Sequence, residues 1–277
     1  MLYICATPIG NIGDITLRAL EVLKVADVIL CEDTRNSSYL LNHYEISNKK
    51  LVALHEHNEN EVSEKVIGWL KEDLIIVQIS DAGTPGISDP GARLCNLAFQ
   101  HGFMPHPLPG ACAYISLLSV SGLVETKSLF YGFLANKSTQ RQKQLSEFKD
   151  YKFAITIYES PHRIIDCVQD IITCLGGDVL LVVGRELTKR FETIVKMTAS
   201  DYLLFLQSDN NQQKGEFVIN ILPKEIKPIS NQLTSETIKI LELCAEELPA
   251  KKAVNLVNKI TSADKDTMYK YLLSKKS

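Results

Sequence analysis

The sequence predicts an α/β protein made of two successive α/β domains and a small C-terminal helical domain. Three observations carry this. Short apolar runs alternate with helical periods over the first 121 residues, as in a parallel sheet with helices on both faces. A second strand-rich stretch follows a polar break, and its pattern suits a mixed sheet. From Ser235 onward only helical periods occur. The expected domains are therefore 1–121, 122–228 and 229–277.

Each element follows from local pattern. Leu2–Ala6 is a short apolar strand. The turn Thr7-Pro-Ile-Gly-Asn-Ile-Gly13 follows, and Asp14 is placed to cap a helix carrying Leu17, Leu20 and Leu23. Asp27–Cys31 is the next strand, and a helix runs from Asn36. Leu51–Leu54 and Leu74–Ile79 are strands on either side of a helix over Glu61–Leu70. Ala92–Gln100 is helical, and Gly102–Leu108 is extended and interrupted by prolines. Pro109-Gly110 then opens a small-residue helix, Ala111–Ser119.

Gly122–Leu129 reads as a linker. Beyond it Phe130–Phe133, Phe153–Tyr158, Val179–Val183, Thr193–Thr198 and Phe217–Leu222 are strands. Helical patterns cover Gln140–Phe148, His162–Cys174 and Ala199–Gln207, and Ser208–Lys214 is a polar loop expected to be mobile. Ser235–Glu247, Pro249–Ile260 and Ala263–Leu273 are three short helices. Ser235 resembles an N-cap and Pro249 suits a first turn. Their spacing resembles a helix-turn-helix.

Composition narrows the class. Hydrophobic content of 45% and charged content of 23% are ordinary for a soluble globular protein. No apolar stretch is long enough to span a bilayer, and Leu2–Ala6 is not preceded by a basic signal-type segment. Seven scattered cysteines without a CxxC pair argue against a zinc site or disulfide framework and point to the reduced cytoplasm. The net charge of −3 hides an asymmetry. Pro249–Ser277 holds seven lysines and two aspartates, a balance of +5, which leaves −8 for the rest. Such a tail either meets an acidic partner such as nucleic acid or is a solvated helical face.

The loop Ile79–Gly91, ISDAGTPGISDPG, stands where an apolar strand hands over to a helix. Ligands bind at such turns in open α/β sheets. Its glycines permit close backbone approach. Asp81 and Asp89 disfavour an anion, so the loop is unlike a phosphate cradle. A turn-rich connector is the alternative. Four more polar clusters follow strands: Cys31–Arg35, His55–Glu59, Tyr158–Arg163 and Gly184–Lys189. Glu32 and Asp33 also suit a helix cap, and Ser160-Pro161 an N-cap and first-turn pair. The G-x-x-G spacing in ATPIGNIGD is not a dinucleotide fingerprint, and neither a Walker loop nor a nucleophile elbow is present. His55 and His57 lack a third partner for a metal.

Taken in order, LYICATPIGNIGDITLRALEVLKVADVILCEDTR, ISDAGTPGISDPG, PLPGACA, YESPHR, GRELTK and KGEFV resemble the tetrapyrrole-methylase-like (class III) S-adenosylmethionine-dependent methyltransferases. EDTR, DAGTP and YESPHR set the chain apart from the porphyrin-pathway members and resemble the branch acting on small-subunit ribosomal RNA. The resemblance implies S-adenosylmethionine in a cleft between the two α/β domains, and a homodimer. The cofactor-contacting positions it implies are Pro8, Gly10, Asp81, Ala82, Gly83, Ile87, Pro109, Gly110, Phe133 and Leu134. The implied reaction is 2′-O-methylation of cytidine 1402 in 16S rRNA, free or in the small subunit.

A ribose hydroxyl is a weak nucleophile, so the reaction needs in-line placement and an acceptor for its proton. The strand-end clusters offer Glu32, Asp33, His55 and Glu159 as acceptors, with none preferred, and positioning alone is an alternative. Arg35, Arg163 and Arg185 are candidate phosphate forks, with Glu186 or Glu192 as the alternative partner of Arg185. Lys251, Lys252, Lys259, Lys265 and Lys270 are candidate contacts to the RNA backbone, and Tyr269 and Tyr271 can stack or pack. Two competing readings are a methyltransferase for a small molecule or protein, and a non-catalytic RNA-binding module.

Overall fold

A computed structural model describes residues 1–123, 127–223, 233, 235–261 and 263–275. The chain forms two compact units, Met1–Pro223 and Lys224–Ser277. The expected boundary at 228/229 and part of the expected linker Gly122–Leu129 lie outside the described residues.

The first half of the larger unit is a five-stranded parallel sheet. Its strands are β1 (Leu2–Cys5), β2 (Val28–Cys31), β3 (Lys50–Ala53), β4 (Ile76–Ile79) and β5 (Pro105–Leu108), in the order β3-β2-β4-β1-β5. Every residue of β2 and β4 is buried, which is why both read as unbroken runs rather than alternations. Pro105 and Pro107 are accommodated because β5 is an edge strand.

Successive residues of these strands face opposite layers. Ile29 and Cys31 pack with Ala19 and Leu23 of α1 (Leu17–Val25) and Leu41 of α2 (Thr34–His43). Val28 and Leu30 pack on the other face, with Val66 and Leu70 of α3 (Glu59–Lys71) and Leu94 of α4 (Ala92–Gln100). Neighbouring strands β1 and β4 therefore send their chains to opposite faces. The crevice outside their carboxyl ends is the topological switch point of the sheet.

The second half is a mixed sheet, as expected. It holds β6 (Ser128–Phe133), β7 (Ala154–Glu159), β8 (Leu180–Arg185), β9 (Thr193–Thr198) and β10 (Phe217–Ile221), in the order β6-β7-β10-β8-β9. Only β6 and β7 are parallel. One face packs on α7 (Ile164–Leu175) and α8 (Ala199–Ser208) through Val168, Ile171, Tyr202 and Leu206. The other face meets the first half: Val182 and Val218 pack with Ile9 and with Leu117 of α5 (Ala113–Val120). That contact brings the polar ends of both sheets to one place. On α6 (Ser138–Glu147), Arg141 is almost fully buried and donates to Asp170 of α7 at 2.7 Å.

Three local expectations change. Asp14 belongs to a short 3₁₀ turn, Ile12–Asp14, and Thr16 caps α1 by accepting from the Ala19 amide at 3.1 Å. α7 starts at Ile164, because Ser160–Arg163 folds as a turn that returns Arg163 to Glu159. Ser208–Lys214 is tied down: it contains a 3₁₀ turn, and the Asn211 and Lys214 carbonyls accept from Arg185 at 2.8 and 2.6 Å.

Among its described residues the smaller unit has three helices, α9 (Ser235–Glu247), α10 (Ala250–Thr261) and α11 (Lys265–Ser274). They close around Leu241, Val254, Val257, Met268 and Leu272. Asp264 caps α11 by accepting from the Thr267 amide at 2.8 Å. Lys251, Lys252, Lys259, Lys265 and Lys270 are all exposed. Tyr269 and Tyr271 both pack against the core, and the Tyr271 hydroxyl also donates to Glu242 at 2.5 Å.

Candidate functional site

The site begins at the switch point. The Thr7 amide donates to the Gly83 carbonyl at 2.8 Å, and the Gly83 amide returns a bond to the Thr7 carbonyl at 3.1 Å. The buried Thr7 hydroxyl donates to the Ser80 carbonyl at 2.9 Å, and the Ser80 hydroxyl donates to the Gly83 carbonyl at 2.9 Å. Gly83 has φ 87°, which side-chain-bearing residues rarely adopt, and its missing Cβ leaves room beside Ile9. The turn after β1 and the loop after β4 are thus one rigid piece.

Other strand ends join it. The Asp33 amide donates to Asp81 Oδ1 at 3.1 Å, and Asn36 Nδ2 donates to Asp81 Oδ2 at 2.8 Å. Thr84 Oγ1 donates to the Ala111 carbonyl at 3.0 Å, which links the loop to the segment after β5. From the second half, the Thr188 hydroxyl accepts from the Asn11 amide at 3.0 Å. A Cβ on Gly10 would lie 2.4 Å from Lys189 Cγ. The loop after β8 therefore lies flat on the turn after β1.

These loops enclose a cavity of about 420 Å³, in the range of small-molecule sites. Its apolar wall includes Ile9, Ile87, Phe133, Leu187 and Phe217. Its polar wall holds Asp81, Asp89, Glu159 and Glu216, with no lysine, arginine or histidine among the lining residues. A second cavity of about 320 Å³, lined in part by Pro8, Gly10, Asn36 and Tyr39, shares Ile9, Asp81, Ala82 and Glu216 with the first.

The carboxylates are not equivalent. Glu159 is fully buried. Its Oε1 accepts from the Ser160 amide and from Arg163 Nε, both at 2.7 Å, and its Oε2 accepts from Arg163 Nη2 at 2.8 Å. Glu216 is paired with Lys189 at 3.0 Å. Burial, with the nearby charges of Glu32 and Asp81, pushes Asp89 up to about 7. Burial, together with Asp81 and Asp33, also raises Glu32, against a lowering by His55. Hydrogen bonds from Arg35 hold Asp33 down at about 2. Burial keeps the Tyr158 hydroxyl protonated well past the usual phenol range.

Of the expected cofactor positions, Asp81, Ala82, Gly83, Ile87 and Phe133 line the larger cavity, and Pro8 and Gly10 line the smaller. Pro109 and Gly110 line neither; the following Cys112 and Ala113 do. Leu134 is buried, and it contributes its carbonyl to Arg163 at 3.1 Å. Of the expected acceptors only Glu159 lines the cavity, and its oxygens are already engaged. Asp33 caps α2 and binds Arg35 at 2.6 Å. Glu32 and His55 stand at the ends of their strands outside the lining, with His55 Nδ1 buried and without a hydrogen-bond partner among the described residues.

Two phosphate forks are corrected. Arg185 is buried and donates to the carbonyls of Lys214, Phe191 and Asn211, rather than to Glu186 or Glu192. Arg163 is turned inward onto Glu159, Asn136 and the Leu134 carbonyl. Arg35 remains 88% exposed beside Asp33. Sequence reasoning named Asp89 only as an anion-repelling carboxylate of its loop and gave Tyr158 and Glu216 no role of their own, although all three line the larger cavity. No group of three His, Cys, Asp or Glu among the described residues is placed to hold a metal ion. No described helix is long and apolar enough to cross a membrane.

Comparison with known proteins agrees with this geometry. Residues 1–202 match the model of the tetrapyrrole (corrin/porphyrin) methylases, and residues 231–276 match the RsmI C-terminal HTH domain. Relatives named ribosomal RNA small subunit methyltransferase I include one from Vibrio cholerae, 44% identical over 98% of this chain and 93% of its own. Another, from Escherichia coli O157:H7, is 41% identical over 98% of this chain and 94% of its own. Among solved structures, the cobalt precorrin-4 methyltransferase CbiF superposes with a TM-score of 0.59 at 19% identity, covering 79% of this chain and 93% of that one. The uroporphyrin-III-C-methyltransferase of Thermus thermophilus gives 0.56 at 14%, covering 80% and 93%; both likenesses show the fold. The chain belongs to the tetrapyrrole (corrin/porphyrin) methylase family, in the group of the ribosomal RNA small subunit methyltransferase I proteins.

Proposed function

We propose that the protein transfers a methyl group from S-adenosylmethionine to the ribose 2′-hydroxyl of cytidine 1402 in the 16S rRNA of the small ribosomal subunit. The observation that carries the reading is the larger cavity, whose lining joins apolar walls to carboxylates and contains no cationic side chain. An anionic cofactor would find no counter-charge there. A ligand with a flat apolar portion, an ammonium and a sulfonium meets both kinds of wall. When bound, S-adenosylmethionine supplies an electrophilic methyl group on a positively charged sulfur.

The chain's own residues hold and orient. Gly83, fixed by its pairing with Thr7, brings bare backbone to the ligand. Asp81, steadied by Asp33 and Asn36, keeps free lone pairs for a cationic group. Ile87 and Phe133 cover apolar surface and limit water. The exposed Arg35 and the lysines of α10 and α11 suit an RNA backbone. In this reading the protein works as a cytoplasmic homodimer, which sedimentation equilibrium tests; a monomer mass contradicts it.

The deciding experiment incubates the protein with methyl-labelled cofactor and either small subunits or naked 16S rRNA. Label mapped to a 2′-oxygen supports the reading. Label on a base, on protein or nowhere defeats it. Full-length likeness to rRNA methyltransferases and the C-terminal HTH match favour an RNA substrate over a small molecule.

A further inference from the structure

We infer that Asp89 is the catalytic base, taking the proton from the hydroxyl that attacks the methyl group. The inference rests on the proposed methyl transfer to ribose and names the residue that this reaction lacks so far.

Position is the first argument. Asp89 lines the cavity together with Asp81, Phe133 and Tyr158. The other acidic candidates are elsewhere or engaged: Asp33 by Arg35, Glu159 by Arg163 and the Ser160 amide, Glu216 by Lys189. Glu32 and His55 do not line the cavity.

The second argument is the way the chain presents this side chain. Ser88 has φ 66°, a left-handed conformation that persists only where surroundings impose it. Its hydroxyl lies 3.1 Å from where a Cβ on Gly132 of β6 would be, so the second sheet borders it on one side. On the other side, the Pro90 carbonyl accepts from Gln78 Nε2 at 2.7 Å, and the Gly91 amide donates to Glu59 Oε1 at 2.9 Å. Gln78 and Glu59 are both buried. Pro90 itself confines Asp89 to extended conformations. Asp89 is therefore clamped on both sides and aimed from a rigid frame, as a proton acceptor needs to be.

The electrostatic surroundings suit the role. Glu32 at the end of β2 and Asp81 at the end of β4 bring like charge, and burial adds to it. From β7 come the protonated Tyr158 and the neutralised Glu159–Arg163 pair, and beside β10 the Glu216–Lys189 pair. The result, about 7, is where a base is both available and strong enough at neutral pH. In the step, the ribose 2′-oxygen bonds to the methyl carbon as the carbon–sulfur bond breaks. That bond's electron pair goes to sulfur, which leaves as a neutral thioether. The hydroxyl proton passes to an Asp89 carboxylate oxygen and then to solvent.

The test compares wild type with Asp89→Asn and follows the wild-type carboxylate by carbon-13 NMR without ligands. The expected variant binds S-adenosylmethionine and small subunits as wild type does, with KM for RNA unchanged and kcat lower by about 10²–10⁴-fold. Wild-type kcat should rise with pH to a plateau above about 7, and one carboxyl resonance absent from the variant should titrate there. Wild-type kcat in the variant, a loss confined to KM or to cofactor binding, or an Asp89 titrating near 4 overturns the inference while leaving ribose methylation standing. If wild type itself places no methyl on ribose, the functional reading fails and the inference falls with it. A variant that does not fold still leaves the wild-type titration to decide.

Discussion

Thr7 and Gly83 exchange two backbone hydrogen bonds, at 2.8 and 3.1 Å, across the switch point of the first sheet. This pair converts two loops 76 residues apart in sequence into one wall of the cavity. Gly83→Ala must hold an alanine at φ 87°. It should cost about 1–2 kcal/mol of stability and weaken cofactor binding, read by denaturant melts and titration calorimetry. Unchanged affinity would show that the loop does not cradle the ligand.

Arg185 is a structural clamp, and its replacement should say so. Arg185→Ala leaves the Lys214, Phe191 and Asn211 carbonyls without their donor. The expected loss is about 1.5–3 kcal/mol, seen as a lower urea midpoint. The slope of log affinity for small subunits against log salt should not change. A shallower slope would return Arg185 to the list of phosphate contacts.

The Arg141–Asp170 pair offers a sharper stability test. Asp170 accepts from Arg141 at 2.7 Å and also from Ser138 and Gln142. Arg141→Ala strands a buried carboxylate and should destabilise by about 3–5 kcal/mol. Replacing both partners with apolar residues of similar volume should restore most of that loss. Equal destabilisation by the single and double replacements would contradict this account.

Asp89 also makes stability depend on pH. An unfolded aspartate ionises near 3.9, and folded Asp89 near 7. Between those values the folded protein holds the extra proton, so stability falls as pH rises through the window and stays lower above it. Asn at this position cannot ionise. The Tm of Asp89→Asn should match wild type near pH 4, rise above it towards pH 7, and keep a constant lead beyond. A constant difference at all pH values would count against the clamped, partly buried carboxylate.

The lysines of the helical unit predict a salt effect. Removing Lys251 and Lys252, both exposed, should lower the salt slope of RNA binding by about 0.7 per lysine if single-stranded backbone is contacted. Truncation after Leu233 should weaken small-subunit binding more at low salt than at high salt while sparing cofactor binding. Subunit binding that survives truncation unchanged would assign these lysines to a solvated face.

Much of the fold was legible in the chain because hydrophobic period reports burial directly. The runs at Val28–Cys31 and Ile76–Ile79 are continuous since both faces of those central strands are covered. The loop ISDAGTPGISDPG could be recognised as a candidate cavity wall from its place after such a strand. Helix starts were less legible. Thr16 rather than Asp14 caps α1, and the start of α7 is delayed by a salt bridge between residues four apart.

Residue types and their order determined that this chain forms two α/β layers and a helical end, with acidic, glycine-bearing loops at its strand ends. Tertiary structure alone decided which charged groups are free. Arg163 and Arg185 look like surface forks in sequence, yet folding turns their guanidinium groups onto carbonyls and carboxylates of the chain itself. Asp89 looks like a turn residue, yet the meeting of two sheets encloses it beside Glu32 and Asp81. The reason is that a group's charge state and availability depend on neighbours distant in sequence, which only the folded chain assembles.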